Sequence, residues 1–343
     1  MEFFAGANTK QGFFSLFDEV FRDSQRLYIL KGSSGCGKST FMKRIAKKAE
    51  EKKLDYHLIF CSADPSSLDG IIIPRLGVAI ADGTHPHVLD VKYPCVRESI
   101  INLGQFWEKS KLLSRRAEIM GLTDLKGCHY KNAYRALSAA GTVEALEDEI
   151  FNQSLDRKRL DNFAFKFAEK LFVSHGERKN IFPSAFTCEG EKSICVSKEI
   201  KTLYTANGKG GKAFLRALQE IAAEKNLSAI IGLNWLDPRL ADLIYIPETQ
   251  TAVSCISDYR CEGSTKIHTV SIDRFINKNS LSLAKNRLKG LGKLKKQLLE
   301  EARGELFSAK ETHNEIENIY IPAMNFDLMN EFTDSFIKNL FGE

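Results

Sequence analysis

The chain has 343 residues, 43% of them hydrophobic and 27% charged, an ordinary soluble globular composition with length enough for two domains. Its 49 basic and 44 acidic residues leave a formal charge of +5, too small and dispersed an excess to indicate nucleic acid. No apolar run reaches the roughly 18 residues of a membrane span, and "MEFFAGANTKQGFF" lacks the basic and apolar regions of a leader, so the expectation is a cytoplasmic protein with no membrane partner.

The first strong element is residues 27–50. "LYIL" is a short apolar strand, "KGSSGCGKST" a glycine-rich loop, and "FMKRIAKKAEEKK" a helical pattern. Gly32, Gly35 and Gly37 let successive backbone N–H groups turn inward around phosphate oxygens, with the positive end of the following helix aimed at them. The expected cofactor-binding set is Gly32, Ser33, Ser34, Gly35, Cys36, Gly37, Lys38, Ser39 and Thr40. Within it Lys38 reaches the terminal phosphates and Ser39 offers its hydroxyl to Mg2+. Cys36 is read as a tolerated small residue rather than a redox switch. ATP is favoured over GTP, because "TDLK" at 123–126 has the wrong order for a guanine signature.

Residues 55–90 hold two apolar strands, "HLIFCSAD" ending at Asp64 and "LGVAIAD" ending at Asp82. Asp82 fits the Walker B role and would share the Mg2+ with Ser39; the alternative is a turn aspartate before Gly83. No Glu follows Asp82, so the base is expected elsewhere or absent, with Asp64 and His85 as candidates beside the structural reading of "DPSS" as a turn. Lys38, Asp82 and Asp64 are thus the catalytic candidates. His85, His87 and Asp90 are weighed as metal ligands and set aside, since one Pro-containing loop supplies no supporting shell. The eight cysteines stand singly, without CxxC or paired Cys/His spacing, and read as reduced thiols.

From 96 to 174 the stretches "RESIINLGQFWEKSKLLSRRAEIM", "YKNAYRALSAAGTVEALEDEIFNQ" and "DRKRLDNFAFKFAEKLF" show helical spacing, so three helices forming an appendage or lid are expected. Arg115 and Arg116 read as a solvated face rather than arginine fingers.

The second half repeats the first. "DPSSLDGIIIP" from Asp64 matches "DPRLADLIYIP" from Asp237 at an offset of 173, "LDNFAFKFAEKLF" from Leu160 meets "MNEFTDSFIKNLF" from Met329, and Gly12 pairs with Gly190. Conserved order along a whole half means duplication, with halves 1–178 and 179–343. In the copy the loop shortens to "NGKGGKAF": Lys212 remains, Ala213 replaces Ser39, and Cys255 replaces Asp82, so one competent site per chain is expected.

"FFAGANTKQGFFSLFD", "LKGSSGCGKST" and "CSADPSSLDGIIIP" together resemble a poorly characterised bacterial family of tandem P-loop ATPases, over nearly the full length. The resemblance implies two P-loop NTPase halves, of which the second often keeps its own GKS/T; "GKGGKAF" departs from that and argues against a two-site mechanism. The expected fold is α/β, two duplicated three-layer αβα domains on mainly parallel sheets, each with a C-terminal helical appendage. The leading function is a Mg2+-dependent ATPase, beside a small-molecule or nucleotide kinase using Asp64 and a nucleotide-dependent interaction module. The partner or acceptor is unspecified, and the repeats pack on each other or on a second copy.

Overall fold

The computed structural model describes residues 1–206 and 208–342; Asn207, the first residue of "NGKGGKAF", and Glu343 lie outside the described residues. The chain forms two compact units, and they are not the repeats 1–178 and 179–343. The loop unit comprises Phe17–Asn132 and the chain from Gly304 onward, whereas the companion unit comprises Met1–Leu16 and Ala133–Arg303. The boundaries fall inside the two long helices, Arg116–Asn152 and Lys285–Tyr320.

In the loop unit the strands run in the order His57–Phe60, Leu68–Ile73, Val78–Asp82, Arg26–Lys31, Glu98–Asn102. The first two pairings are antiparallel and the last two parallel, so the sheet is mixed rather than mainly parallel. The reason is connection length. Only the short turn Pro74–Leu76 and Gly77 join Ile73 to Val78, which permits a hairpin but no crossover. The helix Lys38–Glu51 buries Phe41, Met42, Ile45, Ala46 and Ala49, a three- and four-residue spacing that packs one face on Leu30, Ile71, Ile73, Val78 and Ile80.

The expected first helix of 96–174 is corrected here. Glu98–Asn102 is a strand that adds parallel to Arg26–Lys31; a 3-10 turn, Leu103–Phe106, follows it, and α-helix begins at Lys109–Ser114. Its β-branched pair Ile100 and Ile101 suits a strand, and the free edge of Arg26–Lys31 supplies the pairing that local pattern does not reveal. The second expected helix extends N-terminally into one 37-residue element, Arg116–Asn152, because its internal glycines cost only about 1 kcal/mol each and no proline interrupts it.

The companion unit repeats the plan. Its six strands run Lys266–Thr269, Thr202–Thr205, Thr251–Ser254, Ala241–Ile246, Ala229–Leu233, Arg178–Ile181, again with parallel and antiparallel pairings. Local irregularities recur at the expected positions. A register shift between Ile59 and Phe60 has its counterpart between Gly232 and Leu233, and the turn Pro74–Leu76 has its counterpart in Pro247–Thr249. In the two hairpin turns Thr9 and Thr187 donate their hydroxyls to Gly12 O and Gly190 O, at 2.8 and 3.0 Å. The same local irregularities thus occur at equivalent positions of the two sequence repeats.

The helical appendages are exchanged. The last helix of repeat 2, Phe326–Phe341, is capped by Asn325, whose side chain accepts from Leu328 N–H at 3.2 Å, and it lies in the loop unit. There Met329 and Leu340 enter the core, and Phe336 sits 4.9 Å from Tyr28 and 5.1 Å from Phe41 between ring centroids. The last helix of repeat 1, Arg157–Leu171, belongs to the companion unit, where Phe163 and Phe167 pack on Phe214. Each repeat's sheet is thus closed by the other repeat's terminal helix.

The expectation of reduced thiols throughout is also corrected: Cys195 and Cys261, with Cα atoms 5.1 Å apart, are joined by a disulfide. Their 66-residue separation carries no recognisable spacing. No helix among the described residues is long and apolar enough to cross a membrane.

Candidate functional site

The glycine-rich loop lies between the strand Arg26–Lys31 and the helix Lys38–Glu51. Gly35 (φ 71°) and Gly37 (φ 83°) adopt left-handed conformations that reverse the chain, a shape L side chains rarely tolerate. A Cβ on Gly37 would meet Met329 Cε at 2.7 Å, so the exchanged helix also fixes the loop from below. Gly37 is the helix N-cap and offers no side chain to the first N–H groups, which suits an anion.

Lys38 folds back over the loop and donates to Gly32 O and Ser33 O, both at 3.0 Å; its Nζ lies 3.6 Å from Asp82 Oδ2. The other oxygen of Asp82 accepts from Thr84 N–H (2.9 Å) and Thr84 Oγ1–H (2.6 Å). Asp82 therefore closes a turn through one oxygen and faces the loop lysine with the other. Ser39 Oγ accepts from Leu68 N–H at 3.0 Å, which leaves its proton and second lone pair uncommitted by that bond. Thr40 is exposed at the start of the helix, and Cys36 is buried beneath the loop, where burial pushes its thiol pKa up. That direction fits a packing residue.

Asp64 stands apart in role. Its Oδ1 accepts from Ser66 N–H (3.1 Å) and Ser66 Oγ–H (2.7 Å), with Lys310 Nζ at 3.7 Å. Partial burial raises its pKa, but these bonds outweigh it and leave the carboxyl below its ordinary value, the wrong direction for a base working near neutrality. Its repeat-2 counterpart Asp237 is held in the same manner, by Arg239 at 2.7 Å and Lys10 at 2.6 Å. His85 and Asp90 are exposed while His87 is buried, so those three do not form a set. Arg115 is exposed and pairs with Glu118, and Arg116 is exposed beside it, as a solvated face requires.

Three residues near the loop carry no motif signal. Glu317 Oε1 accepts from Gly35 N–H at 3.0 Å, His313 Nδ1 lies 3.2 Å from Ser34 Oγ, and His313 Nε2 lies 3.4 Å from Glu317. The bond from His313, with Gly35 N–H and Lys38 adding to it, holds the Glu317 carboxyl below the usual range against its partial burial. A carboxylate thus rests on the N–H where a phosphate oxygen is expected. The third is Lys126 on the long helix: burial, then repulsion from Lys38, lowers its pKa, with Glu317 opposing. These residues lie far from the loop in sequence.

In repeat 2 the described part of the corresponding stretch is helical. Helix begins at Gly208, so Lys209 to Ala213 lie in its first turns. A Cβ on Gly211 would overlap Ala206 O at 1.4 Å, which shows how tightly strand and helix close. Lys212 donates to Glu144 Oε1 at 2.6 Å and Lys209 to Asp148 Oδ1 at 2.6 Å. Burial lowers the Lys212 pKa, but Glu144 and Asp242 outweigh it and raise it. Cys255 Sγ lies 3.4 Å from Asp242 Oδ1.

Comparison with protein-family models, curated proteins and solved structures finds no match to this chain.

Proposed function

We propose that this chain binds Mg-ATP at one site, the glycine-rich loop of repeat 1, and hydrolyses it slowly. The observation that carries the reading is the contrast between two copies of one element. One copy holds an open left-handed loop with Lys38 facing Asp82; the other has collapsed into helix with its lysine neutralised by Glu144. The donor set fits a polyphosphate, because Gly35 N–H already serves an anionic oxygen, that of Glu317.

In this reading the amides of Gly35, Gly37 and Lys38 and the Lys38 ammonium hold phosphate oxygens, while Ser39 and Asp82 hold the metal and its water shell. Bound Mg-ATP supplies the phosphoanhydride whose cleavage is the reaction. Lys38 must leave its two carbonyl partners to do this, and Glu317 must yield Gly35. Without an acidic residue after Asp82, no group on that strand end orients a water, which is why turnover is slow. The family resemblance supports the same reading as a tandem P-loop NTPase. Because Asp64 and its counterpart Asp237 both serve as turn residues, phosphoryl transfer through Asp64 is not adopted. A nucleotide-dependent interaction module with negligible turnover is the second reading, favoured by the hold of Glu317 on Gly35.

Phosphate release from ATP, followed in a Mg2+ titration, tests the reading. Wild type is expected to show slow, Mg2+-dependent release, and Asp82→Asn to retain nucleotide while needing several-fold more Mg2+. Identical magnesium dependence in the two proteins would leave Asp82 a turn residue only. Release indistinguishable from buffer, with binding intact, would select the interaction module.

Glu317→Gln removes the competing charge. A hydrogen bond to a charged group contributes about 1.5–3 kcal/mol, so the variant is expected to bind an ATP analogue roughly tenfold more tightly. Calorimetry showing equal or weaker binding would remove Glu317 as a competitor.

A further inference from the structure

Beside the loop, three side chains of different chemistry converge. Cys61 Sγ, a carboxylate oxygen of Asp69 and a ring nitrogen of His87 all lie within 4.8 Å of one another. Asp69 and His87 are buried, and His87 Nε2 lies 3.1 Å from Asp69 Oδ2. The mixed sheet produces this. Leu68–Ile73 runs antiparallel to both neighbours, so its first residues meet the ends of His57–Phe60 and Val78–Asp82. Cys61 follows the one end, His87 the turn after the other. Phe17 stacks on the His87 ring, centroids 4.5 Å apart and 16° from parallel, and so sets the ring plane.

The fold does not require this trio. At the offset of 173 the companion positions are Asn234, Asp242 and Arg260. There Asn234 Nδ2 donates to Asp242 Oδ2 at 2.7 Å, and its Oδ1 accepts from Leu236 N–H and Asp237 N–H. An amide thus satisfies the buried aspartate while tying down the turn. Repeat 1 instead carries a thiol and an imidazole around its aspartate.

The geometry points to a transition-metal site formed by Cys61, Asp69 and His87, with zinc the fitting ion. A sulfur, nitrogen and oxygen donor set is that of a borderline cation and not of Mg2+, which takes oxygen donors. Zinc bonds of about 2.0–2.3 Å place tetrahedral ligand atoms roughly 3.3–3.7 Å apart, so a small inward rotation of these side chains closes the set. Three protein ligands leave a fourth position for water or a neighbouring group. This set shares no residue with the Ser39 and Asp82 pair proposed for Mg2+ and does not depend on the nucleotide reading.

The test uses the full chain, stripped of metal, and Co2+ as probe. One equivalent is expected to give a sulfur-to-cobalt charge-transfer band in the near ultraviolet with visible bands of tetrahedral intensity, reversed by Zn2+ and untouched by excess Mg2+. Cys61→Ser is expected to lose the near-ultraviolet band, and His87→Gln, which keeps the thiol, to weaken cobalt binding at least about tenfold. Cys128→Ser, at an exposed thiol outside the loop, should titrate as wild type. No band at one equivalent in the wild-type chain overturns the proposal whether or not the variants fold; so does a band that survives Cys61→Ser.

Discussion

Lys38→Ala is expected to lower affinity for an ATP analogue at least about a hundredfold, which is roughly 3 kcal/mol. Lys38 is the fixed cation of the loop; in its absence the glycine N–H groups and the proposed metal remain, but the loop no longer places an ammonium on the terminal phosphates. The variant also removes the ammonium that lies 3.6 Å from Asp82. The fold should survive, since the Lys38 ammonium bonds the loop's own carbonyls, with Cys36 Sγ at 3.9 Å and Asp82 at 3.6 Å. Undiminished affinity in a folded Lys38→Ala protein, measured by calorimetry, would remove the site from the loop.

The second large effect concerns the exchanged helix. A chain ending at residue 325 loses Met329, Phe332, Phe336 and Leu340 from the core around Phe41 and Met42. Deleting one buried Leu or Met side chain, such as Leu340 or Met329, typically costs about 2–5 kcal/mol, and an entire domain is stable by only about 5–15 kcal/mol. The loop unit of such a chain is therefore expected not to fold. For the same reason the isolated repeat 1–178, though it contains the whole glycine-rich loop, is expected not to bind ATP. Hydrogen exchange over Leu27–Leu30 reports the first point and calorimetry the second. A stably folded, ATP-binding 1–178 fragment would show that the exchange of helices is dispensable.

Much of this was legible in sequence because it is local. The strand, loop and helix at 27–50 are written in consecutive residues, and duplication is visible because "DPSSLDGIIIP" and "DPRLADLIYIP" keep their spacing. What stayed hidden is non-local. Two similar terminal helices, each with an aromatic face, fit either sheet, so pattern cannot say which copy Phe336 packs on. The strand Glu98–Asn102 exists because an edge of Arg26–Lys31 was free, which no window of residues reveals. Glu317 reaches Gly35 from 282 residues away. In sequence His87 groups with its chain neighbours His85 and Asp90, whereas Cys61 and Asp69 lie across strands, where spacing rules do not apply.

The central claim is that one copy of a duplicated loop kept its chemistry and the other became packing. Titration of the full chain with a non-hydrolysable ATP analogue and Mg2+, followed by calorimetry, measures this directly. The expected result is saturation at one nucleotide per chain, unchanged in Lys212→Ala, whose ammonium is already committed to Glu144. Two equivalent sites, no binding at all, or a Lys212→Ala protein as impaired as Lys38→Ala would contradict it.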